Sequence, residues 1–206
     1  MIFRCSSLGK IMTSPRTKGE VLSETAKTYI RSLAKEDFYG YSSEIENKYL
    51  TKGINQELES IELLNAVRFE DYTKNSERIT TDLLTGECDI ITDDTIIDIK
   101  TSWSLETFPA TEDEAHDKDY EWQLRGYMML YNRPKAELVF CMVSTDPDLL
   151  NAWDNKTIHE VDHIEPRFRV TVVQYERDEA LEVQMLEKLR AAQEYYVWYV
   201  NQLNSK

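Results

Sequence analysis

The residues with the clearest chemical potential lie in the stretch Gly86-Glu-Cys-Asp89-Ile-Ile-Thr-Asp-Asp-Thr-Ile-Ile-Asp98-Ile-Lys100. Alternate side chains of a β-strand share a face. Asp98 and Lys100 therefore point one way, while Ile97 and Ile99 enter the opposite layer. A carboxylate and an ammonium on an otherwise apolar strand are costly to bury unless they are paired or bind an ion. Asp89 stands on the preceding strand, across a turn at Asp93-Asp94, and a short hairpin brings its carboxylate toward that of Asp98. Two converging carboxylates repel, and a hard divalent cation, Mg2+ or Mn2+, relieves the conflict through oxygen ligands. Such a cation stabilises charge on a phosphodiester and acidifies a bound water, while Lys100 beside it neutralises developing negative charge. The competing reading is a surface hairpin with an ordinary Asp–Lys pair, because Asp-x-Lys is short and frequent. The interior character of residues 96–99 favours the chemical reading.

Two helical stretches add candidates. In Gly53-Ile-Asn-Gln-Glu57 the carboxylate of Glu57 lies one turn after Gly53 on the same face. It is either a third acidic group for the site or, with Glu59 and Glu62, part of a solvated face. Gly53 costs ~1 kcal/mol against Ala in a helix and lets backbone or ligand come close. In Gln123-Leu-Arg-Gly-Tyr127, Gln123 and Tyr127 share a helix face with Arg125 nearby. Glutamine hydrogen-bonds phosphate and arginine pairs with it. Taken alone, a core tyrosine and a surface glutamine are the simpler account.

The elements that must position these groups are legible as periodicity. Residues 18–35 repeat apolar side chains at helical spacing. Ser43 and Glu46 form a capping-box pattern that opens a helix running through Tyr49, Leu50, Ile54, Leu58, Ile61 and Leu64. Strands are expected over 78–84, 86–92 and 95–101, then a polar loop over 104–119 and a helix over 120–131. Strands at 138–143 and 168–174 flank an irregular stretch, and a last helix runs from about 178 to 203. Its Tyr195, Tyr196, Trp198 and Tyr199 serve either as core or as a packing surface. The order predicts an α/β (α+β) sandwich with a central mixed sheet flanked by helices.

A chain of 206 residues with 41% hydrophobic and 11% aromatic content suits one globular domain, 1–206, and not disorder. Cys5, Cys88 and Cys141 form no CxxC pair, and His116, His159 and His163 lack zinc-ligand spacing. No stretch is apolar enough to span a bilayer, and MIFRCSSLGK lacks a secretion-type apolar run, so a cytoplasmic protein without membrane partners is expected. The net charge of −14 opposes binding to phosphate polyanions unless a basic groove interrupts the acidic exterior or a bound cation inverts the local field.

The ordered set, Gly-x-x-x-Glu57 on a helix, Gly-x-x-Asp89 and Asp98-x-Lys100 on strands, and Gln123-x-x-x-Tyr127 on a helix, resembles the PD-(D/E)XK nuclease superfamily. Within it the chain resembles the phage lambda-exonuclease/YqaJ-like recombination exonucleases. The resemblance extends to Val170–Glu179, and implies a restriction-endonuclease-like core. It implies that Asp89, Asp98 and the Ile99 carbonyl ligate Mg2+ or Mn2+, with Glu57 completing the acidic cluster. Lys100 would be the catalytic lysine, and Gln123 would position water or the scissile phosphate. Arg4 with Ser6 or Ser7 would hold a 5′ phosphate, and Arg125 and Tyr127 would face DNA phosphates. Cys88 stands where the motif has proline, and Asp98 where close relatives often carry glutamate.

The activity so implied is 5′→3′ digestion of one strand of linear duplex DNA, leaving 3′ overhangs for phage-type recombination. The implied partners are a DNA end, two further copies in a homotrimeric ring and a single-strand annealing protein, in the cytoplasm of a bacterial host. The alternatives are another nuclease of the superfamily, Cas4- or RecB-like or a site-specific endonuclease, and a non-enzymatic acidic DNA mimic. The first would act on other DNA substrates; the second would bind no divalent cation at Asp89 and Asp98.

Overall fold

The computed structural model of the chain describes residues 1–43 and 47–205. In chain order its first half holds β1 (Phe3–Arg4), α1 (Leu8–Met12), α2 (Glu24–Tyr39), α3 (Lys48–Asn55) and α4 (Glu57–Arg68). The strands β2 (Ile79–Thr80), β3 (Leu84–Gly86), β4 (Ile90–Ile91) and β5 (Thr95–Thr101) come next. Then come α5 (Glu112–Ala115), α6 (Lys118–Tyr131), β6 (Lys135–Cys141), β7 (Val170–Glu176) and α7 (Glu179–Asn204).

The central sheet has the order β4-β5-β6-β7 and is mixed: β5 and β6 run parallel, and the outer pairings are antiparallel. A parallel pair cannot be joined by a tight turn, and α6 supplies the return path from β5 to β6. Asp117 caps α6 by accepting from the amides of Asp119 and Tyr120, and Asn132 ends it in a left-handed conformation (φ 49°). The helix thus lies against β5 and places Gln123 over Asp98.

Alternation along β5 splits the core in two. Ile96 faces a layer containing Leu124 and Met128 of α6, Ile30 of α2, and Met185 and Leu189 of α7. Ile97 and Ile99 face Ile61 and Leu64 of α4, with Val139 and Cys141 of β6 beside them. Each such side chain contributes about 1.5–3 kcal/mol on burial, so a slip of one residue in β5 is strongly disfavoured. That register fixes Asp98 and Lys100 on the α6 side.

Several elements differ from the expectations of periodicity. The helix expected through Leu64 is two helices meeting at Gln56 (φ −111°, ψ 16°). Gly53 is not the break. The buried Gln56 side chain donates to the Ser144 carbonyl at 2.6 Å and accepts from the Asp146 amide, so tertiary hydrogen bonds set the joint. Glu57 therefore opens a new helix instead of continuing that of Gly53, although both line one cleft. The capping box at Ser43 needs Glu46, which lies outside the described residues; the cap of α3 is Asn47, accepting from Tyr49 and Leu50. The strands expected over 78–84 and 86–92 are shortened because β3 belongs to a separate three-stranded sheet, β1-β3-β2. The chain must leave that sheet after Gly86 to enter the central one at Ile90. The loop of 104–119 carries the short α5, capped by Thr111. Among the described residues, no helix is long and apolar enough to cross a membrane.

The N-terminal β1 pairs in parallel with β3, Phe3 opposite Leu84 and Arg4 opposite Thr85. The segment Cys5–Leu8 packs on α6 at Gly126. A Cβ there would come within 2.6 Å of Leu8 Cδ1 and 3.0 Å of Cys5 Sγ. This close approach carries Arg4 and Ser6 to the edge of the same cleft as Asp98.

Candidate active site

The hairpin of β4 and β5 pairs Ile90 with Ile97, which brings Asp89 alongside residues 98 and 99. Asp89 Oδ2 accepts a short hydrogen bond, 2.6 Å, from the Ile99 amide. Asp98, only 2% exposed, is held on two sides. Its Oδ1 accepts from Gln123 Nε2 at 3.1 Å, and its Oδ2 lies 2.8 Å from Lys100 Nζ as an ion pair. Among the described residues no hydrogen-bond donor is aligned with that buried Oδ2. Gln123 Nε2 also donates to the Tyr127 hydroxyl at 3.0 Å, so the amide that steers Asp98 is itself anchored. The ring of Tyr120 lies 4.4 Å from Lys100 Nζ, a cation–π contact that helps orient the ammonium.

The electrostatics reflect this crowding. Burial first, and the charge of Asp98 second, push the Asp89 carboxyl up to about 8, against the pull of the Ile99 amide and Lys100. Burial works against the charge of Lys100, but the Asp98 carboxylate outweighs it and holds the ammonium above its ordinary value. Burial and the same carboxylate also raise the Tyr127 phenol, keeping it a neutral hydrogen-bonding group.

Glu57 enters from the first turn of α4, where the helix dipole favours a carboxylate. Its Oε2 accepts from Lys74 Nζ at 2.7 Å, while Oε1 is buried without a hydrogen-bond partner. Its charge acts on Asp89, but it does not complete a three-ligand group: among the described residues no three His, Cys, Asp or Glu side chains converge as a metal site.

These groups line one cleft of about 850 Å³, with Arg4, Ser6, Ile99, Tyr120, Gln123 and Tyr127 in its walls. Gly53 also faces it, with no atom within 4 Å of where a Cβ would stand. The opposite wall comes from Tyr49, Leu50 and Ile54 of α3, with Trp103 after β5. Lys52 pins that helix. It is fully buried and donates to the carbonyls of Trp103 and Val143 and to Thr145 Oγ1 at 2.8–3.1 Å. Burial lowers its ammonium to about 8.

Two expected phosphate contacts lie elsewhere. Arg125 turns from the cleft to Glu121, with bonds of 2.6 and 3.0 Å, because the acidic partner sits one helical turn away. Ser7 bonds Tyr29, so of the two serines it is Ser6 that lines the cleft. Tyr127 lies beneath Gln123 as its anchor. The basic groove is absent from the cleft walls, where Arg4 and Lys100 stand against Glu57, Asp89 and Asp98. Lys74, Tyr120 and Lys52 were not singled out by motif; only the aromatic–cation proximity of helix 120–131 to Lys100, once β5 is placed, would mark Tyr120.

The donor set suits a hard divalent cation. Glu57 Oε1 is a buried oxygen without a donor, Asp98 Oδ2 faces only the Lys100 ammonium, and burial and the Asp98 charge raise the Asp89 carboxyl. A cation among them would satisfy the oxygens, favour the ionised form of Asp89 and reverse the local field.

No protein-family model and no curated protein matches the chain. Among solved structures it is similar to a phage-related exonuclease from Haemophilus somnus 129PT, at 34% sequence identity and a TM-score of 0.93. That likeness covers 98% of this chain and 96% of the other. The alkaline exonuclease LHK-Exo from Laribacter hongkongensis is similar at a TM-score of 0.71 and 15% identity, covering 99% and 92%. Its complex with dAMP gives 0.70 and 17% over the same shares. At these identities the second likeness shows the fold alone.

Proposed function

This chain belongs to the phage-type exonucleases of the PD-(D/E)XK superfamily, the lambda-exonuclease/YqaJ-like branch, and from that membership we propose that it digests linear duplex DNA 5′→3′. The strand removed is the one with the free 5′ end, the cofactor is Mg2+, with Mn2+ able to substitute, and the 3′ overhang left serves single-strand annealing in phage-type recombination. The observation that carries the reading is Asp98 clamped between Gln123 and Lys100, with the Asp89 carboxyl, held by the Ile99 amide, beside it in one cleft.

Asp89, Asp98 and the Ile99 carbonyl would hold the cation, with Glu57 facing it from α4. When bound, it supplies Lewis-acid stabilisation of charge on the phosphate. The chain's own groups do the rest. Lys100, fixed by Asp98 and the Tyr120 ring, presents an ammonium to the attacking water and to the charge that builds on the phosphate oxygens. Gln123, anchored by Tyr127, holds Asp98 in one orientation, with its second oxygen paired to Lys100. Arg4 and Ser6, at the cleft edge, would meet a terminal phosphate. For a chain digested from its 5′ end with phosphate retained on the shortened strand, the bond broken is between phosphorus and the 3′ oxygen of the departing nucleotide. The bond electrons pass to that oxygen, and the new chain end keeps a 5′ phosphate. The homotrimeric ring around the duplex, an annealing protein as partner and the cytoplasm of a bacterial host complete the proposal.

The test is digestion of linear duplexes labelled separately at each terminus, beside closed-circular DNA, with and without Mg2+. Loss of label from 5′ ends alone, intact circles and dependence on Mg2+ are expected. Lys100→Ala should slow digestion by about 10²–10³-fold, the range for removing one preorganised electrostatic group, with the fold retained. Undiminished activity in that variant, or cutting of closed circles, would overturn the assignment.

A further inference from the structure

Residues 72–77 have no regular structure, yet they are fastened at several points. Asn65 accepts from the Tyr72 amide at 2.8 Å and donates to its carbonyl at 3.0 Å. Asn75 donates from its backbone to the Asp89 carbonyl at 2.7 Å and from its side chain to the Cys88 carbonyl at 2.9 Å. Tyr131 donates its hydroxyl to the Glu77 carbonyl. The strap is thus tied to the backbone of Asp89 itself, and between its ties it carries Lys74. That ammonium reaches Glu57 Oε2 at 2.7 Å and leaves the buried Oε1 without a donor. Glu57 is 18% exposed and Lys74 44% exposed in their side chains, so the ion pair opens to solvent mainly on the lysine side.

A buried carboxylate beside two others is costly without a positive charge. In the cation-free protein Lys74 provides that charge for Glu57, as Lys100 does for Asp98. The two lysines differ in what else holds them. Lys100 sits on a paired strand under an aromatic ring, whereas Lys74 has a flexible, half-open side chain on an irregular segment. We infer that Lys74 is a positioning residue that acts as an exchangeable counter-ion, holding Glu57 in place and yielding it when a divalent cation enters beside Asp89 and Asp98. The inference rests on the cation reading of this site. Its consequence runs against the simple expectation for an active-site residue: removing Lys74 tightens cation binding, because no ammonium competes for Glu57.

Calorimetric titration of Mg2+ into the DNA-free protein tests this. Lys74→Met and Lys74→Gln should bind Mg2+ roughly two- to fivefold more tightly than wild type, the range for losing one partly exposed ion pair. Lys74→Arg, which keeps the pair, should match wild type. In a Glu57→Gln background the Lys74→Met change should have no effect. Thermal melts should show every variant folded, since Asn65, Asn75 and Tyr131 hold the strap; if Lys74→Met does not fold, Lys74→Gln carries the comparison. Unchanged or weaker Mg2+ binding in the neutral variants, or an equal gain with Glu57→Gln, would overturn the inference. Asp98→Asn separates the two levels. If it abolishes Mg2+ binding while Lys74→Met equals wild type, only the counter-ion role fails. If wild type and Asp98→Asn bind alike, the cation reading fails and the inference with it.

Discussion

Replacing Asp89 by Asn should stabilise the cation-free protein while destroying its activity. Asn keeps an oxygen that accepts from the Ile99 amide but carries no charge beside Asp98. The Asp89 carboxyl, ordinarily at 3.8, is raised to about 8 in the fold, by burial first and by Asp98 second. A raised acid keeps in the folded state a proton that the unfolded chain has released, so stability is fully present below about pH 4 and is lost as pH rises through about 8. Roughly four tenfold steps at ~1.4 kcal/mol each set a ceiling of about 5–6 kcal/mol. The cleft is open to solvent and Lys100 shares the charge, so about half that is realistic, and the gain should grow by about 1–2 kcal/mol between pH 5.5 and 8.5. The lower pH stays above the isoelectric point of about 4.7. In a chain of this size the change is a rise in melting temperature of roughly 2–8 °C. Thermal melts of both proteins at the two pH values, with a chelator and then with Mg2+, provide the assay. Mg2+ should reverse the order, since it stabilises only the protein that binds it. A difference that is absent, shrinks with rising pH, or survives Mg2+ unchanged would refute the reasoning.

Gln123→Leu should reduce digestion by about 10–100-fold, as for loss of a group that orients a ligand, because Asp98 Oδ1 loses its donor; a rate within twofold of wild type would contradict the role given to it. Arg125→Ala should leave the rate on linear duplex DNA unchanged and lower stability by less than about 1 kcal/mol, since it removes the bonds to Glu121 and Glu176 and a contact with the Trp122 ring; digestion rates and thermal melts are the check.

Much of the site was legible because its parts are local. The period of two along residues 95–101 puts Asp98 with Lys100 and separates both from Ile97 and Ile99, and the hairpin at Asp93-Asp94 keeps Asp89 within reach. The spacing of four between Gln123 and Tyr127 made them neighbours on α6, as their hydrogen bond shows. Arg125 is governed by the same locality: its charge suggested phosphate, and the fold pairs it with the Glu121 carboxylate one turn away.

Residue type and spacing alone determined the strand that carries Asp98 and Lys100, its two faces and the helix that stands over it, since these depend on neighbours within a few positions. Only the tertiary structure decided that Gln56 would break a helix, that Lys74 would hold Glu57, that Lys52 would be buried under the cleft wall, and that Cys5 and Leu8 would seat the N-terminus on Gly126. Those contacts join residues separated by 17 to more than 100 positions, where no periodicity operates and the partner is chosen by which buried polar group or bare backbone the fold leaves to be satisfied.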